Sequence, residues 1–156
     1  MATSRAPAAI DALMSGITPL AASAAKPFLV ADGPDASDDP SDALWIGYDA
    51  DPEARETESI LLNQNWAGLG KRSRTEDFEI ICAATALIGD GATKPARDRV
   101  HVMTAAVEDY LRENPDLDQP TPTLAEYKPI ALYLEAGPAG LQARLRFNVV
   151  CRFTRI

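Results

Sequence analysis

Four groups of residues have the types and spacing that chemistry could use: Asp49-Ala50-Asp51-Pro52-Glu53, Gly68-Leu69-Gly70-Lys71-Arg72, the lone His101, and the cysteines Cys82 and Cys151. Carboxylates on alternate residues can offer oxygen ligands to calcium. The segment lacks the central glycine and closing glutamate of a calcium loop, and Pro52 stiffens it, so an exposed acidic loop is the simpler reading. Gly68 to Arg72 has phosphate-loop ingredients without the glycine spacing that cradles a nucleotide, which leaves a turn between strands. Its bases Lys71 and Arg72, with Arg74 just beyond, are candidates for polar contact with a partner. His101 has no neighbouring nucleophile and no second histidine, so it forms neither a triad nor a metal pair. Cys82 and Cys151 lie in alternating apolar runs and read as buried free thiols; a disulfide needs strands that make them neighbours. No catalytic constellation emerges, and neither metal nor cofactor is expected.

Charge is distributed more tellingly than it is balanced. Between Asp32 and Glu58 stand ten acids, among them Asp35, Asp38, Asp39, Asp42, Asp49, Asp51 and Glu53, against the single base Arg55. This stretch carries more than the whole formal charge of −8, and the remainder is nearly neutral. The last sixteen residues hold four arginines, including Arg144, Arg146 and Arg152, and no acid. Opposite charges in separate segments argue against a nucleic-acid footprint, which is net basic, and favour a protein-binding surface.

The elements that position these groups follow from periodicity. One domain is expected, since 156 residues split in two would leave each half short of a core. No apolar run approaches the roughly 18 residues of a membrane span, and the N-terminus lacks the unbroken apolar core of a secretion signal, so the protein is expected to stay in the cell that makes it. Ile10, Leu13, Met14 and Ile17 mark a first helix capped by Ser4 and ended or bent by Gly16 and Pro19. Strands are expected over Pro27–Ala31, Leu44–Tyr48, Ser59–Trp66 and about Glu76–Ile88, the last alternating Phe78, Ile80, Cys82, Ala84 and Ala86 with Glu79, Ile81, Ala83 and Thr85. Trp45 reads as core; Trp66, near a turn, fits core or interface equally. A second helix has Thr93 as N-cap, Pro95 in its first turn, the stripe Val100, Met103, Val107, Tyr110 and Leu111, and Asn114-Pro115 at its close. A final hairpin runs from about Tyr127 to Leu134, turns through Ala136–Gly140 and returns over Leu141–Thr154 with clean alternation. The order α-β-β-β-β-α-β-β implies an α+β fold, a mostly antiparallel sheet with two helices packed on one face.

Several blocks carry a resemblance: RAPAAIDAL, LWIGYD before an acidic loop, NWAGLGKRSRTEDFEIICAA, KPARDRVHVMTAAVEDYLRENPDL and ARLRFNVVCRFTRI. Together they resemble the small tail-terminator proteins of actinobacterial long-tailed phages and prophages, similar in fold to lambda-type tail terminators. The resemblance spans nearly the whole chain in order and spacing, through a composite of short motifs. It implies a structural virion protein with no catalytic residues: a hexameric ring, assembled in the host cytoplasm, that caps the head-proximal end of the tail tube. Such a ring stops tube polymerisation and meets the head-completion proteins, while genomic DNA passes through without specific binding. A ring needs two different surfaces meeting, and the acidic 32–58 region and the arginine-bearing last strand are complementary candidates. An acidic loop, 35–42 or 49–56, lining the lumen would keep DNA from sticking. The rival readings are a head-closure or other connector protein, a tube subunit, a small metal-dependent or acid-base enzyme using Asp49, Asp51 and Glu53, and a bacterial adaptor.

Overall fold

The computed structural model describes residues 4–34, 42–66, 74–119 and 123–154. In chain order they form α1 (Ala6–Ser23), β1 (Leu29–Asp32), β2 (Asp42–Ile46), β3 (Ile60–Trp66), β4 (Arg74–Ile88), α2 (Thr93–Glu113), β5 (Thr123–Gly137) and β6 (Gly140–Thr154). The strands make one sheet in the order β1-β2-β4-β6-β5, with β3 also paired to β4. Every pairing is antiparallel except β1 with β2. The α+β class and the element order read from periodicity are therefore those of the structure.

Alternation explains the layers. Leu141, Ala143, Leu145, Phe147, Val149, Cys151 and Phe153 of β6 are all buried, as are Phe78, Ile80, Cys82, Ala84 and Ala86 of β4. All of these but Phe153 meet Ala9, Leu13 and Ile17 of α1 and Val100, Met103 and Val107 of α2 in one core cluster. The opposite face holds a second, smaller cluster of Ala31, Ala43, Trp45 and Ala83, against which Tyr48 and Ala50 pack. Trp45 is thus buried as expected, and its Nε1 donates to Thr85 Oγ1 at 3.0 Å.

Element ends depart from expectation where side chains claim backbone groups. Helix α1 passes through Gly16 and Pro19 to Ser23. Burial of Leu13, Ile17 and Ala21 on either side outweighs the hydrogen bond that Pro19 cannot donate. Gly16 instead answers packing: a Cβ there would stand 2.1 Å from Tyr110 Cζ. Ser4 Oγ accepts from the amide of Ala6, the first helical residue, at 3.0 Å, although Ser4 is one residue ahead of the N-cap position. Arg5 holds that position, and buried Glu76 reaches over from β4 to accept from Ser4 Oγ and, at 3.1 Å, from the Arg5 amide. Thr93 is the first helical residue of α2, not its cap, and Asp90 Oδ1 accepts from the amide of the actual N-cap, Ala92. Strand β1 starts at Leu29 because the carbonyls of Lys26 and Pro27 serve Arg99 Nη2, at 2.8 and 3.2 Å. The final hairpin turns on Pro138-Ala139 alone, since Gly137 pairs with Gly140, and β5 begins earlier than expected, at Thr123.

Strands β2 and β3 share one edge of β4. Ile46 pairs with Cys82, whereas Ile60 pairs with Ile80, where an uninterrupted strand would put Tyr48; twelve residues are looped out. The detour leaves at Gly47, whose φ of +75° turns the chain out of the ladder and ends β2 before Tyr48. It returns with Ser59, whose carbonyl accepts from the Ile81 amide at 3.0 Å.

Candidate docking surfaces

The looped-out segment crosses the sheet face that the helices leave open. Tyr48 lies edge-on to Trp45 with centroids 5.5 Å apart, and Ala50 packs on the same cluster. Arg144 Nη1 on β6 donates to the Asp49 carbonyl at 3.0 Å, and its guanidinium lies 4.3 Å from the centre of the Tyr133 ring. Side-chain oxygens fold the loop on itself, with Asp49 accepting from the Asp51 amide and Asp51 from the Glu53 amide. Between loop and hairpin lies a groove of about 350 Å³, lined by Ala50, Asp51, Pro52, Glu53, Tyr133, Leu134, Glu135, Gln142 and Arg144.

This arrangement redistributes the residues singled out by charge. The acidic loop and Arg144 meet within one chain, so reversing Arg144 would disturb the loop's own seat as well as any contact with a neighbour. Arg146 is half-buried beside it, and its Nε is shielded from solvent without a hydrogen-bond partner among the described residues. Arg152 is exposed toward the other end of β6, opposite Asp77. Asp42 faces inward: Arg99 Nε lies 2.8 Å and Lys26 Nζ 3.2 Å from its Oδ2. Asp35, Asp38, Asp39, Lys71 and Arg72 lie outside the described residues, as does the side chain of Arg74.

Further along the open face, Asn148 Nδ2 donates to Glu79 Oε2 at 2.6 Å, and Lys128 Nζ stands 3.5 Å from Glu79 Oε1. A second groove of about 300 Å³ is lined by Leu61, Leu62, Asn63, Asp77, Phe78, Glu79, Val150 and Arg152. It adjoins β3, which exposes Leu61, Leu62 and Trp66, the last at 66%, and carries no charged residue. Exposed apolar residues on an uncharged edge strand are a surface suited to being covered. Trp66 is therefore not a core residue. Strand β5 guards its own edge with Glu126, Lys128, Pro129 and a break in register after Pro129.

Among the described residues no three His, Cys, Asp or Glu side chains come together to hold a metal. His101 is exposed on α2. Cys82 and Cys151 are free and buried, each standing opposite a phenylalanine, Phe147 and Phe78, rather than the other cysteine. Burial pushes both thiols from an ordinary 9.0 up to about 12, too high for a nucleophile at neutral pH. Among known proteins, no family model matches the chain and no curated sequence is significantly similar to it. No helix among the described residues is long and apolar enough to cross a membrane.

Charge and periodicity did not point to Tyr133, Glu135 and Gln142, which complete the first groove. The signal was present in the hairpin, where register sets Tyr133 against Arg144 and Glu135 against Gln142.

Proposed function

We propose that this chain is a structural subunit of a phage tail terminator. Copies assemble into a ring, most simply a hexamer, that caps the head-proximal end of the tail tube. The ring stops tube growth and joins the tail to the head-completion proteins, in the neck of a virion assembled in the host cytoplasm. The observation that carries the reading is the acid-lined groove on the sheet's helix-free side together with the exposed apolar edge strand β3. These are contact surfaces of two different kinds on one subunit, as a heterologous ring requires. The motif resemblance agrees with it and supplies the place in the virion. The protein works by binding, with no cofactor and no chemistry of its own. DNA passes through the ring; Asp42 is occupied by Arg99 and Lys26, so the lumen is served by other acids.

Electron microscopy of the purified chain mixed with its cognate tube protein tests the proposal. Short tubes closed at one end by rings are expected. Long tubes formed by this chain alone would make it a tube subunit, and tubes of unchanged length with bare ends would overturn the terminator role.

A further inference from the structure

We infer that the groove between the acidic loop and the β5–β6 hairpin is a binding site for an arginine side chain presented by a partner protein. The inference goes beyond the capping role and stands whether or not the chain closes a tube.

The groove joins two chemistries. Apolar surface from Ala50, Pro52 and Leu134 lies beside the carboxylates of Asp51, Glu53 and Glu135. None of the three carboxylates forms an ion pair with another described residue. The one guanidinium in the lining, that of Arg144, is held by the Asp49 carbonyl and the Tyr133 ring. Three carboxylates against one guanidinium leave the lining two negative charges in excess, so the groove calls for a cation from outside.

The shape of the lining selects which cation. A calcium ion needs six or more oxygens gathered within about 2.3–2.6 Å of one point. Among the described residues no three carboxylates converge in that way. Separated acids beside apolar surface suit a long side chain instead, whose stem packs on the wall while its charged head meets the carboxylates. Lysine ends in a point charge, whereas the planar fork of arginine addresses two carboxylates at once and stacks on aromatic rings. Tyr133, 45% exposed, already receives one guanidinium, with Arg144 lying 4.3 Å from its ring centre. The volume of about 350 Å³ is at the small end of the roughly 300–1,000 Å³ of ligand clefts, which fits one such side chain and the backbone that carries it. Exposed charge pairs contribute only about 0–1 kcal/mol each, too little to retain a free amino acid. The arginine therefore belongs to a larger protein contact, in which the groove sets register.

Nitrogen-15 NMR titration of the full-length chain tests this, with an acetylated and amidated glycine peptide carrying two arginines as the probe. The amides of Tyr133, Glu135 and Gln142 should shift with a Kd on the order of 1 mM. The same peptide with glutamates in place of the arginines should leave them unmoved. Glu53→Lys with Glu135→Lys reverses two exposed acids of the lining and should weaken binding about tenfold or more. Glu56→Lys with Glu58→Lys makes the same change of net charge outside the lining, and should weaken it less than about twofold. Equal loss in the two variants would reduce the effect to net charge and overturn the site. So would groove amides that stay unmoved, or that respond equally to the glutamate peptide or to calcium chloride alone. Shifts that grow with the chain's own concentration, without peptide, would give the groove to a second copy and overturn the assignment to a partner. All of these outcomes leave the capping role to the tube-end experiment.

Discussion

Replacing Arg99 with methionine keeps an unbranched stem in place and removes a guanidinium that does three jobs. Its Nε pairs with Asp42 at 2.8 Å, its Nη2 takes the Lys26 and Pro27 carbonyls, and it lies 5.6 Å from the centre of the Phe28 ring. Both charged side chains are nearly enclosed, 9% and 11% exposed, so the pair is poorly screened by water. Stranding one partner of a buried pair costs about 3–5 kcal/mol. Lys26 remains 3.2 Å from Asp42 but is 66% exposed and recovers little, which sets the expectation for Arg99→Met at about 3 kcal/mol. In a domain of this size that lowers Tm by roughly 6–12 °C. The double variant Arg99→Met with Asp42→Leu exchanges the pair for apolar volume. It should regain all but about 1 kcal/mol, the remainder reflecting the two carbonyls left without a donor. Urea unfolding followed by far-UV circular dichroism gives the cycle. A single-variant cost below about 1 kcal/mol, or two costs that simply add, would refute the claim that this pair ties α2 to β2.

Two further outcomes follow from the same geometry. Arg144→Ala removes the Asp49 carbonyl bond and the Tyr133 contact together, so trypsin should cut after Arg55 several-fold faster, while the helix-side core keeps its cooperative melting; unchanged cleavage would show that Arg144 does not hold the loop. Burial holds the Cys82 and Cys151 thiols at about 12 against an ordinary 9.0, so their contribution to stability is complete below about pH 9 and is lost as pH rises toward 12. Iodoacetamide at pH 8 should accordingly leave the native chain unmodified by mass and label both cysteines in urea, and rapid native labelling would contradict the burial.

What could be read in advance was whatever one strand or helix fixes by itself. The alternation of β6 identified its buried face residue by residue, because the period of two survives any choice of neighbour. Helix α2 was legible for the same reason through Val100, Met103, Val107 and Leu111. What escaped depended on groups distant in sequence. Glu76 on β4 holds the Ser4 hydroxyl and the Arg5 amide just ahead of α1, Tyr110 makes Gly16 a packing residue, and Arg99 takes the carbonyls that would have lengthened β1. Arg144 was legible as a charge but not as a clamp, since the chain had to loop out between β2 and β3 before Asp49 could meet it. Net charge ranked Asp42 with the other acids, although its partners put it in the interior.

The seam at Ile46 and Ile60 has a consequence for how such a molecule can vary. Pairing along β4 resumes after the detour as though nothing had intervened, and the Ile81 amide finds the Ser59 carbonyl on rejoining. The length and composition of residues 51–58, between the packed Ala50 and the rejoining Ser59, are thus uncoupled from the strand registry on either side. Related chains can splice longer, shorter or differently charged excursions into this position, and a foreign peptide can be grafted there, while the scaffold beneath folds unaltered.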